Sequence, residues 1–136
     1  MRFEVKAIGR VESGLVDLES APRQADEGAP EATLVFDQAV LEGLRNLSPG
    51  DEVLLLTWLD RAQRDVLRVR PRGDKSRAEQ GVFSTRSPHR PNPIGLHRVE
   101  ITGVDGCRLR VRGLEAIDGT PIIDLKPILS ENIGER

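Results

Sequence analysis

Apolar positions recur at every second residue through most of this chain, and one stretch alone has them at helical spacing. Phe3, Val5 and Ala7 share one side of an N-terminal strand that runs on to Ile8 and Val11, with Gly9 read as a bulge. Ala32–Phe36 is a short apolar run that predicts another strand. Val53–Leu59, the most continuous run, predicts a buried central one. Leu67 and Val69 alternate with Arg68 and Arg70, continuing to Arg72; Cys107, Leu109 and Val111 alternate with Arg108, Arg110 and Arg112. A period of two sends each apolar set toward a core and each arginine set to the opposite face. Gly103-Val-Asp105-Gly106 is a hairpin signal between Ile101 and Arg108. Val40, Leu41, Leu44 and Leu47 predict one short helix, with Asp37 as its N-cap. Ser48-Pro49-Gly50-Asp51 then turns the chain into the central strand. Residues 20–32, rich in Pro, Ala, Gly and acids, read as a surface loop, and 130–136 as a polar tail. Short strands at close spacing with a single helix predict an all-β fold: a compact antiparallel β-barrel, one domain over residues 1–136.

Composition narrows the chemistry. No apolar run approaches the roughly 18–20 residues that span a bilayer. No long apolar stretch follows the first charges, so a cytoplasmic chain without membrane contact is expected. Cys107 is the only cysteine and there are two histidines, which cannot close a zinc site, so no metal is expected. The net charge is −2, but residues 61–112 hold thirteen Lys/Arg against five acids. That basic middle suits a polyanion or an anionic ligand; it equally fits a solvated arginine face balanced by nearby acids.

The densest signal is Gly81-Val-Phe-Ser-Thr-Arg86-Ser-Pro88-His-Arg90-Pro91-Asn92-Pro93-Ile-Gly95-Leu96. Three prolines fix φ repeatedly and keep the preceding residues out of the helical region, so such a loop loses little further entropy on binding. Arg86, Ser87, His89, Arg90 and Asn92 supply donors suited to a carboxylate, a ribose or a phosphate. Gly95 permits close approach of a ligand or a neighbouring backbone. Composition alone leaves open whether these groups meet a ligand or only their own backbone. Asp118-Gly119-Thr120-Pro121 reads as a turn, and Ile122–Pro127 as a strand on which Asp124 or Lys126 could face inward. No glycine-rich dinucleotide motif, P-loop or nucleophile elbow is present. His89 and His97 read as surface residues and Trp58 as core, and aromatics for stacking on bases are scarce.

Taken in order, Pro22-Arg23-Gln24, the 81–96 motif and Asp118–Pro127 resemble the TrmO-type methyltransferases, also called the YaeB or TsaA-like family. Ser84 replaces the family's usual Ala, Leu125 its Ile, and Ile128 its Tyr after Lys-Pro. Two histidines common in the family, one entering the central strand and one near its end, are absent. With so few residues after the last motif, the extra C-terminal domain of longer members is not expected here.

The resemblance implies a β-barrel, usually a homodimer, that binds S-adenosyl-L-methionine and methylates N6 of threonylcarbamoyladenosine beside the tRNA anticodon. By motif position the cofactor contacts would be Pro22, Arg23 and Gln24, Arg86, Leu96, and Asp118, Gly119, Thr120 and Pro121. The end of the central strand also contributes in the family, which here points to Leu59, Asp60 or Arg61. Arg86, Arg90 and Asn92 are the candidate catalytic residues, Arg90 and Asn92 orienting either the loop or the acceptor. The faces carrying Arg68, Arg70 and Arg72 and Arg108, Arg110 and Arg112 would hold RNA phosphates. Two alternatives stay open: a small-molecule methyltransferase on the same barrel, and a non-catalytic cofactor- or RNA-binding module.

Overall fold

The structure, a computed structural model, describes residues 1–15, 31–70 and 76–129. Six strands close a barrel: β1 (Gly9–Glu12), β2 (Ala32–Phe36), β3 (Glu52–Trp58), β6 (Ile94–Asp105), β7 (Arg108–Arg112) and β8 (Pro121–Pro127). Their order around the ring is β1-β2-β7-β6-β3-β8, every pairing antiparallel, with β8 returning to β1. A two-stranded ribbon of β4 (Arg68–Val69) and β5 (Gln80–Gly81) stands outside it. The expected all-β barrel is present.

Parity decides the core. Val53, Leu55 and Thr57 of β3, Val99 and Ile101 of β6, and Leu109 and Val111 of β7 all face inward and are buried. Cys107 opens the last set, and the β6–β7 turn bends at Gly106 with φ +59°, as the hairpin signal predicted. Ile122 and Leu125 both reach the core from β8 because the β3–β8 register shifts between Leu56 and Thr57. That shift turns Asp124 and Lys126 outward as an exposed 3.1 Å ion pair, so neither is an inward charge.

Five expectations are corrected. The N-terminal strand begins only at Gly9: Phe3 and Val5 are 77% and 60% exposed, because no neighbouring strand pairs with them. Gly9 is in regular register with Phe36 and is not a bulge; a Cβ there would strike the Val35 carbonyl oxygen. The predicted helix is a 3₁₀ helix, Gln38–Leu44, and Asp37 precedes it in extended conformation without a side-chain cap bond. Leu44 is buried there, but Leu41 is exposed, since a threefold repeat cannot keep four fourfold-spaced residues on one face. Leu67 lies exposed in the connection to the short β4 rather than in a core. The 20–32 loop falls outside the described residues except for exposed Glu31 and buried Ala32, which opens β2; the 130–136 tail falls outside them entirely.

Candidate functional site

Above one end of the barrel, the loop joining β5 to β6 is held by its own arginine. A second 3₁₀ turn, Val82–Ser84, buries Val82, whose carbonyl accepts from the Thr85 N–H at 3.1 Å and Thr85 Oγ1 at 2.8 Å. Arg90 donates from Nη2 to that carbonyl at 2.7 Å and to the Thr85 carbonyl, and from Nε to the Ser87 carbonyl at 2.9 Å. One planar guanidinium thus pins three turns of a proline-stiffened loop. These contacts of Arg90 go to its own loop, which fits one of the two roles the sequence left it.

Segment 58–64, leaving the end of β3, is locked to the same loop. Arg64 stacks 5.1 Å from the centre of the Trp58 ring, donates to the Pro91 carbonyl at 2.8 Å and to Asn92 Oδ1 at 3.0 Å. The Gln63 N–H donates to His89 Nδ1 at 3.0 Å, and the Arg90 N–H to the Gln63 carbonyl at 3.1 Å. Asn92 is thereby a loop anchor. Trp58 is half-buried beneath Arg64 rather than in the core.

Three clefts meet at Arg86–His89. The largest, about 850 Å³, lies between the loop and the β4–β5 ribbon and carries Arg70, Arg77 and Arg86 with no carboxylate among its described lining residues. A second, about 330 Å³, is lined by Leu59, Arg86, Arg90, Leu96 and His97. A third, about 100 Å³, is lined by Asp60, Arg61, His89, Glu115 and Thr120, and Leu59 and Pro88 are common to it and the second. Arg86 is exposed and has no hydrogen-bond or ion-pair partner among the described residues.

Arg86, Leu96, Asp60, Arg61 and Thr120, distant in sequence, are therefore brought together. Asp118 acts beside them as scaffold: its Oδ1 accepts the Ser13 N–H at 3.0 Å. Gly119 takes φ +88° to close the turn, and Thr120 Oγ1 donates to the Ile117 carbonyl at 2.6 Å. Pro121 opens β8 at its pairing with Arg10. Pro22, Arg23 and Gln24 lie outside the described residues.

The sequence reading missed two residues. His97 is not a surface residue; it points inward from β6 with Val99 and Ile101, and its Nε2 lies 2.8 Å from Oγ1 of fully buried Thr57. Burial holds its pKa below the ordinary histidine value. Gly95 makes room for this pair, since a Cβ there would lie 2.5 Å from Thr57 Oγ1 and 2.8 Å from His97 Nε2. The inward parity shared with Val99 and Ile101 is the signal that would have found it. Glu115 is the other: its Oε1, in a residue lining the third cleft, is buried without a hydrogen-bond partner among the described residues.

The β7 arginine face is also corrected. Arg108 pairs with Glu12 and Arg112 with Glu100, each at 2.8 Å, and the Glu100 hydrogen bond holds Arg112 more firmly protonated. Neighbouring strands thus balance two of the three charges expected to meet phosphates. Among the described residues, no cluster of three His, Cys, Asp or Glu is placed to hold a metal, and no helix is long and apolar enough to cross a membrane.

Comparison with known proteins gives this arrangement its context. Residues 10–132 match the family described as the tRNA-methyltransferase O N-terminal domain. An S-adenosyl-L-methionine-binding protein of Archaeoglobus fulgidus is 46% identical over 123 residues, covering 90% of this chain and 86% of the relative. The crystal structure of TrmO from Pseudomonas aeruginosa superposes with a TM-score of 0.76 at 32% identity, over 95% of this chain and 57% of that one. Another TrmO structure gives 0.77 at 30% identity, over 100% and 60%. The chain thus spans under two thirds of the length of these TrmO structures, and 35% of a longer A. fulgidus relative. Match, identity and superposition agree with the barrel and its loop: the chain belongs to the TrmO N-terminal domain family, the TsaA/YaeB-like proteins.

Proposed function

We propose that this protein binds S-adenosyl-L-methionine in the joined clefts under the 86–93 loop and methylates tRNA, at N6 of threonylcarbamoyladenosine beside the anticodon. The observation that carries the reading is the convergence of Arg86, Leu96, Asp60, Arg61 and Thr120 on clefts that share Leu59 and Pro88. The donor set fits the cofactor. Arg86 offers an uncommitted guanidinium fork to a carboxylate, and Leu59 and Leu96 offer apolar wall. Glu115 Oε1, buried and without a partner among the described residues, suits hydroxyl or amino donors of a nucleoside. Pro22, Arg23 and Gln24 complete the proposed cofactor set, with the Asp118–Pro121 turn holding its edge.

When bound, the cofactor supplies a methyl group on a sulfonium with a neutral leaving group, so orientation at near-attack distance carries much of the rate and no metal is required. The loop clamped by Arg90 and by Arg64–Asn92 supplies that orientation. The 850 Å³ cleft with Arg70, Arg77 and Arg86 offers cations to RNA phosphates. Homodimerisation in the cytoplasm belongs to the same proposal, supported by Ile94 and Leu96, exposed apolar side chains that line the second cleft and extend its wall to the surface. Incubation with labelled cofactor and total tRNA, followed by nucleoside analysis, tests the reading. A methylated adenosine derivative is expected; cofactor binding without any methylated nucleoside overturns the tRNA assignment.

A further inference from the structure

The neutral imidazole at the barrel mouth has no role in cofactor binding as described. His97 faces the second cleft together with Arg86 and Leu96, and Thr57 Oγ1 at 2.8 Å fixes its ring through Nε2. Its other nitrogen, Nδ1, has no hydrogen-bond partner among the described residues. A hydroxyl that is itself fully buried and a glycine that admits no Cβ are the support of a ring held in one orientation. The other titratable groups close to it are Arg86 and Arg90 in the same cleft, and Asp60, Arg61, His89 and Glu115 across Leu59 and Pro88. Burial opposes a positive charge on the ring.

Methylating a nitrogen that bears hydrogen leaves a proton to be removed. We propose that His97 is the catalytic base of this site, taking that proton at Nδ1 while Nε2–H donates to Thr57 Oγ1. The inference rests on the methyltransferase reading above. In balance, the acceptor nitrogen's lone pair forms the N–C bond as the C–S bond breaks with its electrons going to sulfur, the N–H proton passes to Nδ1, and the imidazolium releases it to water. A base of this kind contributes about 10²–10⁴-fold.

The test combines turnover with a readout that needs no cofactor. In single-turnover methylation of total tRNA, H97Q should lose about 100-fold or more in rate. Its calorimetric affinity for S-adenosyl-L-methionine should stay within about threefold, and the acidic limb of its pH–rate profile should vanish. In the cofactor-free wild type, the His97 ring signal, told from His89 by the H89N spectrum, should titrate at the midpoint of that limb. The chain has only these two histidines. Wild-type turnover with a limb that survives H97Q, or a limb whose midpoint departs from the His97 titration, overturns the base and leaves the function standing. A wild type that binds cofactor and methylates no nucleoside overturns both. Should H97Q not fold, the coincidence of limb and titration in the wild type still decides.

Discussion

The Arg90 guanidinium donates to the Val82 carbonyl, eight residues earlier in the chain, at 2.7 Å. It also donates to the Thr85 and Ser87 carbonyls, and so ties together three carbonyls of a loop with no regular ladder; that of Val82 accepts from Thr85 N–H and Oγ1 as well. Lysine keeps the charge but cannot reproduce the fork. Both R90A and R90K should therefore weaken cofactor binding at least about 10-fold and lower the melting temperature, R90K nearly as much as R90A. Calorimetry and thermal unfolding check this; an R90K that behaves like wild type would show that charge alone suffices.

Arg86 should behave in the opposite way. It supports nothing among the described residues, so R86A should leave the melting temperature within about 1 °C, as for ordinary surface changes. Its affinity for S-adenosyl-L-methionine should fall about 10- to 100-fold, the worth of a charge-assisted contact. Equal affinities of R86A and wild type in a calorimetric titration would remove Arg86 from the cofactor site.

Strand parity made the barrel legible. Cys107, Leu109 and Val111 alternate with arginines because one face of β7 is buried and the other wet, and the structure keeps that division. The same alternation at Phe3 and Val5 misled, because period two reports a shape that could pair and not the presence of a neighbouring strand to pair with. At the site, the 81–96 motif announced its own stiffness. It did not reveal that Arg90 and Asn92 help to build the loop, since the partners are backbone carbonyls for Arg90 and the guanidinium of a distant Arg64, which donates to Asn92. Thr57 and His97 are forty positions apart, and only the β3–β6 register brings them together.

Two glycines separate close packing from open space. A Cβ at Gly9 would collide with the Val35 carbonyl, which is backbone and cannot rotate away, whereas one at Gly81 would meet nothing within 4 Å at an ordinary φ of −60°. G9A should cost about 1–3 kcal/mol by overpacking. G81A should be neutral or stabilising by up to about 1 kcal/mol. Urea unfolding of the two variants reads the contrast, and equal midpoints would contradict the β1–β2 packing.

Thr57 and His97 also fix how stability responds to acid. Burial holds the folded His97 pKa below its unfolded value of 6.5. Between the folded and unfolded values the unfolded chain therefore binds more protons, and stability rises with pH across that window. The contribution is complete above the unfolded value and declines as pH falls through the window, where the ring must either stay neutral or charge inside the barrel mouth. Melting temperatures measured from pH 7.5 down to 5 should fall in the wild type, and the fall should be smaller in H97Q, whose side chain does not titrate. A wild-type profile parallel to that of H97Q would mean that His97 titrates as freely in the barrel as in the unfolded chain.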